Sequence, residues 1–297
     1  MTDIDIQYLR QWIGKTTRWD GRITAEPFAR MAATLGRLDL LNGKAPALPP
    51  LWHWLYGQPI LEQSQLRADG MPLESDILPP ISLPRRMWAS SALQFHDDLH
   101  VGGAIRRASR IANIAHKQGR TGELVFVELE HTLTGPQGVA LTERHTIVFR
   151  GLGEKRPMKP AKTQQDGDPA CRSAEQEPEP DHSREIVPDE ILLFRYSALT
   201  SNSHRIHYDR PHATQTEGYP GLVVHGPLIA TLLLDLVDRH CPRRRIQSFS
   251  FKAVHPIFDL HPFRLNLRLH PSSGKQFTTW ATDYRNRTCM HAEGIFN

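Results

Sequence analysis

The chain has 297 residues, of which 39% are apolar and 23% charged, with a formal net charge of +4. That length accommodates two domains of roughly 100–150 residues, each able to bury a core. The longest strongly apolar run, Leu228–Leu234, is interrupted by Thr231 and closed by Asp235, too short to cross a bilayer, so no membrane association is expected. The first residues, MTDIDIQYLRQW, carry acidic side chains and no apolar stretch, unlike a signal peptide, so the cytoplasm is the expected location. Cys171, Cys241 and Cys289 are too widely spaced for a disulfide framework or a zinc pattern. The basic excess is scattered in pairs and triplets, Arg85-Arg86, Arg106-Arg107 and Arg243–Arg245, without interleaved aromatics. This excludes a nucleic-acid interface and leaves either solvated surface charge or a small phosphate-rich ligand such as coenzyme A, whose oxygens match arginine forks.

In chain order, residues 15–36 read as a strand and then a helix. Thr24 stands at the cap, Phe28, Met31, Ala32 and Leu35 recur at helical spacing, and Gly36 stops the run. A proline-rich stretch from Leu48 to Pro84 follows; its aromatics Trp52, Trp54 and Tyr56 argue for a packed loop over a groove. Four strands are predicted at 87–95, 104–114, 123–133 and 140–149, separated by glycine turns. Residues 153–185 hold five prolines and almost no large apolar residue. Such a stretch cannot offset its ordering entropy by burial, and it reads as a linker between segments 1–152 and 186–297.

The second segment contains a helix from Gly226 to about His240, with Leu228, Ile229, Leu232, Leu233, Leu236 and Val237 on one face and Asp235 and Asp238 off it. Strands follow at 246–254, 263–270, 275–284 and 288–296; in FRLNLRLH strict alternation predicts one buried and one wet face. Each half thus ends in about four antiparallel strands after a helix-bearing segment. This is an α+β plan in which two sheets each wrap a helix, as an ancient duplication would give.

The chemistry concentrates in residues 194–237. Asn202, His204 and His207 fall within six positions, and about twenty residues on a Gly-Pro pair opens the apolar helix. A neutral histidine serves as a general base, and the unpaired N–H groups of a helix N-terminus hold an oxyanion. Pro227 has no N–H, so Gly226 is the donor at that turn. His225, just before it, braces the helix or reaches substrate. No carboxylate or cysteine completes a metal site around His204-x-x-His207, so no metal is expected.

SALTSNSHRIHYD followed by GLVVHGPLIATLL resembles the motif pair of MaoC-like enoyl-thioester hydratases, most of all their double hot-dog branch, which includes hydroxyacyl-thioester dehydratase type 2. LPPLWHWLYG and LPRRMWASSALQF are similar to the N-terminal domain of bacterial mesaconyl-CoA and itaconyl-CoA hydratases. The resemblance implies a double hot-dog fold and a hydro-lyase that acts on an acyl-CoA with no other cofactor. His207 becomes the base, Asn202 stands where many members carry Asp, and His204 supports them. It casts the first half as groove, with Trp52, Trp54, Tyr56, Arg85 and Arg86 as candidate ligand contacts. A dicarboxylic acyl group needs a cation at its far end; Arg205 is the nearest in sequence, with Arg195 and Lys252 as further options, although Arg205 could equally tie down its own loop. A fatty-acid-type 3-hydroxyacyl-thioester dehydratase, a thioesterase on the same fold and a non-enzymatic acyl-CoA-binding module remain as alternatives, and a homodimer is left open.

Overall fold

The computed structural model describes residues 4–43, 45–119, 122–151, 179–271 and 274–297. After a short helix, α1 (Ile6–Arg10), the first half runs β1 (Thr16–Arg22), α2 (Ala25–Leu35), a long irregular stretch, then β2 (Arg85–Phe95), β3 (Ala104–Gly119), β4 (Gly122–Gly135) and β5 (Gly138–Arg150). The second runs β6 (His182–Ile186), α3 (Glu190–Leu199), α4 (Gly226–His240), β7 (Ile246–Ala253), β8 (Phe263–Leu269), β9 (Gln276–Thr282) and β10 (Thr288–Phe296). All eight predicted strands are present, and β3, whose Ile spacing also suits a helix, is a strand. Asp189 caps α3 by accepting from Leu192 N–H, and Gly36 ends α2 in the left-handed region at φ 66°.

The strands join one antiparallel sheet in the order β1-β3-β4-β5-β2-β7-β10-β9-β8-β6. Renumbered from the start of each half, both halves read 1-3-4-5-2 from their outer edge, and they meet second strand to second strand. The seam is antiparallel, Ser91 opposite Phe251 and Leu93 opposite Phe249, as a pseudo-twofold axis requires. The duplication expected from the strand rhythm is therefore explicit in the topology, although the two sheets are fused into one. The first strand of the second half, β6, lies within the stretch read as linker; residues 152–178 of that stretch lie outside the described residues.

Only the second half carries a long helix against its strands. Every residue of α4 from Leu228 to Val237 is buried. Asp235, expected off the buried face, is only 7% exposed. Three guanidiniums draw it in: Arg37 at 2.6 Å, and Arg184 and Arg239 at 2.8 Å. Arg37 also binds Asp238 at 2.7 Å, which ties the end of α2 to the end of α4. In the first half, α2 packs on α3 rather than along its own strands. The space under the first-half sheet is filled by the 3-10 turn Trp52–Leu55 and, at the far end, by Ile77, Leu78, Ile81 and Leu83. Within the double-sheet plan the first half is packed differently: residues 36–84 occupy the place that α4 holds in the second half.

That replacement sets a buried polar layer into the first half. Glu143 of β5 accepts from Ser91 Oγ at 2.6 Å and Trp54 Nε1 at 3.1 Å, and lies 3.2 Å from His53 Nε2. In β8, the expected wet position Asn266 is buried, because the edge strand β6 covers it and Ser183 Oγ donates to its Oδ1 at 2.8 Å. Among the described residues no helix is long and apolar enough to cross a membrane.

Candidate active site

The site begins where α3 stops. Ser201 takes a left-handed backbone, φ 50°, and reverses the chain. Asn202 N–H then donates to Ser197 O at 2.9 Å, and Asn202 Oδ1 accepts from His204 N–H at 3.1 Å. This is the local side-chain turn that asparagine favours. It leaves the amide Nδ2 without a hydrogen-bond partner among the described residues. One 3-10 turn, Arg205–His207, carries the next histidine inward, and His207 is buried.

His207 Nδ1 lies 2.7 Å from Val223 O. A carbonyl only accepts, so Nδ1 carries the hydrogen and Nε2 keeps a free lone pair. His225 stacks flat on this ring at 3.7 Å, and its own Nε2 meets Ser197 Oγ at 2.8 Å. His204 stands edge-on to His207, 5.7 Å between centroids. Burial, opposed by the Val223 bond and helped by His204, lowers the His207 pKa to about 3. Burial lowers His204 to about 4 against the pull of Asp69 and Glu217, and burial together with His207 and His204 holds His225 well below its usual value. All three rings are neutral near neutral pH.

Val223, which fixes the His207 tautomer, lies three residues before Gly226, the first residue of α4. The Gly226 N–H has no acceptor among the described residues, and Pro227 follows it. One short segment therefore orients an imidazole base and presents a helix-end donor, backed by the partial positive charge of a 15-residue helix. The arrangement can remove a proton from water and stabilise a developing oxyanion.

The other expected contacts divide. Arg205 forks onto Asp209 Oδ2 at 2.9 and 2.7 Å and reaches Ala68 O at 3.0 Å, so it fastens its loop and is not free for substrate. Arg195 on α3 and Lys252 on β7 are exposed to solvent. Trp52, Trp54 and Tyr56 are buried in the core, and Trp52 with His53 also lines a cavity against Leu234 and Val237 of α4. Trp52 packs on Phe28, Trp54 serves Glu143, and Tyr56 Oη donates to Thr24 O at 2.7 Å. The arginine pair reaches the second half. Arg85 lies 3.2 Å from the Glu217 carboxylate and over the Tyr219 ring, and the Arg86 charge helps depress His204.

A wall of the site that the sequence did not reveal comes from residues 67–71. Ser203 Oγ donates to Gly70 O at 2.5 Å, and Arg205 N–H donates to Asp69 O at 2.9 Å. Gly70 is required at φ 85°, and a Cβ there would overlap the Ser203 carbonyl. Asp69 pairs with Arg67 and accepts from Met71 N–H at 2.9 Å; burial raises its pKa less than these contacts lower it, so it stays a carboxylate beside His204. An Asp-Gly turn in a proline-rich loop was the only available signal.

Residues 51–259 match the family model for hydroxyacyl-thioester dehydratase type 2. The chain is 44% identical over 258 residues to mesaconyl-C(4)-CoA hydratase of Chloroflexus aurantiacus, covering 86% of this chain and 88% of that one. It is 27% identical over 268 residues to the mitochondrial hydroxyacyl-thioester dehydratase type 2 of Schizosaccharomyces pombe, covering 82% and 87%. Among solved structures, a Mycobacterium tuberculosis protein described as having a double hotdog fold superposes with a TM-score of 0.59 at 14% identity, over 96% of this chain and 94% of that one. The palindromic strand order, the histidine loop before the buried helix and these matches place the chain in the hydroxyacyl-thioester dehydratase type 2 family, with a double hot-dog fold.

Proposed function

We propose that this hydro-lyase is an enoyl-CoA hydratase that adds water to a short, branched, dicarboxylic enoyl-CoA of the mesaconyl or itaconyl type, in the cytoplasm. The observation that carries the reading is the His207–Val223 bond. It leaves a neutral Nε2 lone pair on the segment that also presents the free Gly226 N–H. His207 Nε2 takes a proton from water, and the resulting hydroxide bonds to the alkene carbon β to the thioester. The π electrons move onto the thioester oxygen, which Gly226 N–H holds as an enolate. The Nε2 proton then passes to the α-carbon, and the imidazole is neutral again. Asn202 Nδ2 donates to the attacking water, a role open to an amide, which cannot relay a proton at neutral pH. His225 fixes the His207 ring by stacking, and His204 lines the same pocket. The reverse path, dehydration of a 3-hydroxyacyl thioester, uses the same groups in the opposite order.

The acyl group is assigned from the 44% identity to a mesaconyl-C(4)-CoA hydratase over 86% of the chain. A panel of mesaconyl-CoA, itaconyl-CoA, crotonyl-CoA and longer neutral enoyl-CoAs tests it. The expected kcat/KM is highest for a dicarboxylic member. Higher efficiency on crotonyl-CoA or a longer neutral chain than on either dicarboxylic one would overturn the substrate assignment.

A further inference from the structure

Resting on that reading, a carboxylate-bearing acyl group needs a cation, since burying the charge unpaired is costly. The arginine nearest in the motif, Arg205, is already committed to Asp209 and Ala68. Across the fold most other inward arginines are likewise occupied: Arg37 by three carboxylates, Arg107 by Gly57 O and Arg85 by Glu217.

Arg86 is different. It is half-buried near the start of β2, and its side chain has no hydrogen bond and no ion pair among the described residues. Its cross-strand partner is Phe149, and Trp88 opposite Ile147 continues the same face. Cross-strand partners share a face, and Phe149 and Ile147 are buried beneath the sheet, so Arg86 points inward. Next along that face, His145 stacks on Trp88 at 3.9 Å, and its Nε2 is buried with no partner among the described residues. Burial lowers the Arg86 pKa, Arg67 lowers it further, and Asp69 opposes them. Asp69 is already held by Arg67 and Met71 N–H and does not reach Arg86 as an ion pair. The charged and titratable groups facing Arg86 are thus Arg67, Asp69, His204 and His145. A cation with no ion pair among the described residues, close enough for its charge to depress His204 and His145, is a site built to receive an anion.

We propose that Arg86 binds the free carboxylate of the substrate's acyl group, and so determines the preference for dicarboxylic over neutral enoyl-CoAs. The first half then contributes the specificity residue while the second half carries the base and the oxyanion donor.

The test measures wild type, Arg86→Met and Arg86→Lys on mesaconyl-CoA and crotonyl-CoA, with near-ultraviolet circular dichroism as the check on folding. Removing one partner of a desolvated charge pair costs on the order of 10²–10³-fold in binding. The expected result for Arg86→Met is a rise of that size in KM for mesaconyl-CoA, with crotonyl-CoA changed by less than about 3-fold and partial recovery in Arg86→Lys. Equal losses on both substrates in a folded variant would overturn the proposal in favour of a structural or coenzyme-phosphate role. An unchanged preference would overturn it as well. The two failures are separable: a wild type that favours crotonyl-CoA removes the dicarboxylic reading itself, whereas a wild type that favours mesaconyl-CoA with an indifferent Arg86→Met removes only the Arg86 assignment.

Discussion

Replacing His207 by alanine is expected to lower kcat by about 10²–10⁴-fold, the range that a positioned general base contributes. The ring is the only motif imidazole whose tautomer is set by a backbone carbonyl, at 2.7 Å from Val223. Its neighbours cannot take over without rebuilding the loop: His225 Nε2 is engaged by Ser197, and His204 meets His207 edge-on at 5.7 Å. Because burial lowers the His207 pKa to about 3, the base stays unprotonated throughout the mildly acidic range. The kcat of the wild type should therefore show no acid limb near the ordinary histidine value of about 6.5. A folded His207→Ala protein with wild-type turnover, or a kcat that falls with a midpoint near 6.5, would remove His207 from this role.

The second large effect is on stability and lies in the other half. Glu143→Ala would strand the Ser91 hydroxyl, the Trp54 indole N–H and the His53 imidazole in the core, besides leaving a void. Each buried group that loses its partner costs about 1–3 kcal/mol, so a total loss of about 3–5 kcal/mol is expected, comparable to breaking a buried ion pair. That is a large share of the roughly 5–15 kcal/mol that holds a typical domain together. Burial alone would raise the Glu143 pKa, but the His53 bond and the fields of His53, His131 and His145 outweigh it and lower it. Burial also keeps His131 and His145 neutral near neutral pH, with His145 lowered to about 3. The hydrogen bonds rather than those two imidazoles therefore hold the charge under working conditions. Since the folded pKa is depressed, the contribution of Glu143 is fully present above the unfolded value of about 4.3 and is lost as pH falls below it. The buried histidines act earlier. Unfolded chains take up their protons below about pH 6.5 while the folded chain refuses them, so stability starts to fall there. Urea unfolding of wild type and Glu143→Ala at pH 7 and pH 5 reads both effects. A difference below about 1 kcal/mol between the two proteins at pH 7, the worth of one ordinary hydrogen bond, would deny Glu143 this role.

What could be read from the sequence was local. The base, the amide and the helix start all fall between Asn202 and Gly226, and α4 declares itself by apolar spacing and a Gly-Pro opening. Turn signals, with alternation in strands such as FRLNLRLH, located all eight long strands. The five-residue β6 was hidden because HSREI follows a proline- and glutamate-rich stretch and has only one buried residue, Ile186. The centre of the first half was misread for a physical reason. Trp52, Trp54 and Tyr56 look like groove aromatics, yet a half that lacks a long helix against its strands needs large side chains to fill the space. Glu143 and His145 lie on the inner face of β5 with Leu141 and Ile147, where the alternation rule places apolar residues. Their partners His53, Trp54 and Trp88 stand 50 or more residues away in sequence. The second wall of the site is equally non-local, since Gly70 meets Ser203 across 133 positions. No spacing rule reaches that far.

The central claim is addition of water to an enoyl thioester without cleavage of the thioester. The most direct measurement follows the enoyl-thioester absorbance of mesaconyl-CoA with purified enzyme while a thiol reagent reports free coenzyme A in the same cuvette. The expected result is loss of the enoyl absorbance with no thiol released, in wild type and not in His207→Ala. Thiol release in step with the absorbance loss would identify a thioesterase, and no change in either signal with any enoyl-CoA would leave a binding protein; both would contradict a hydratase.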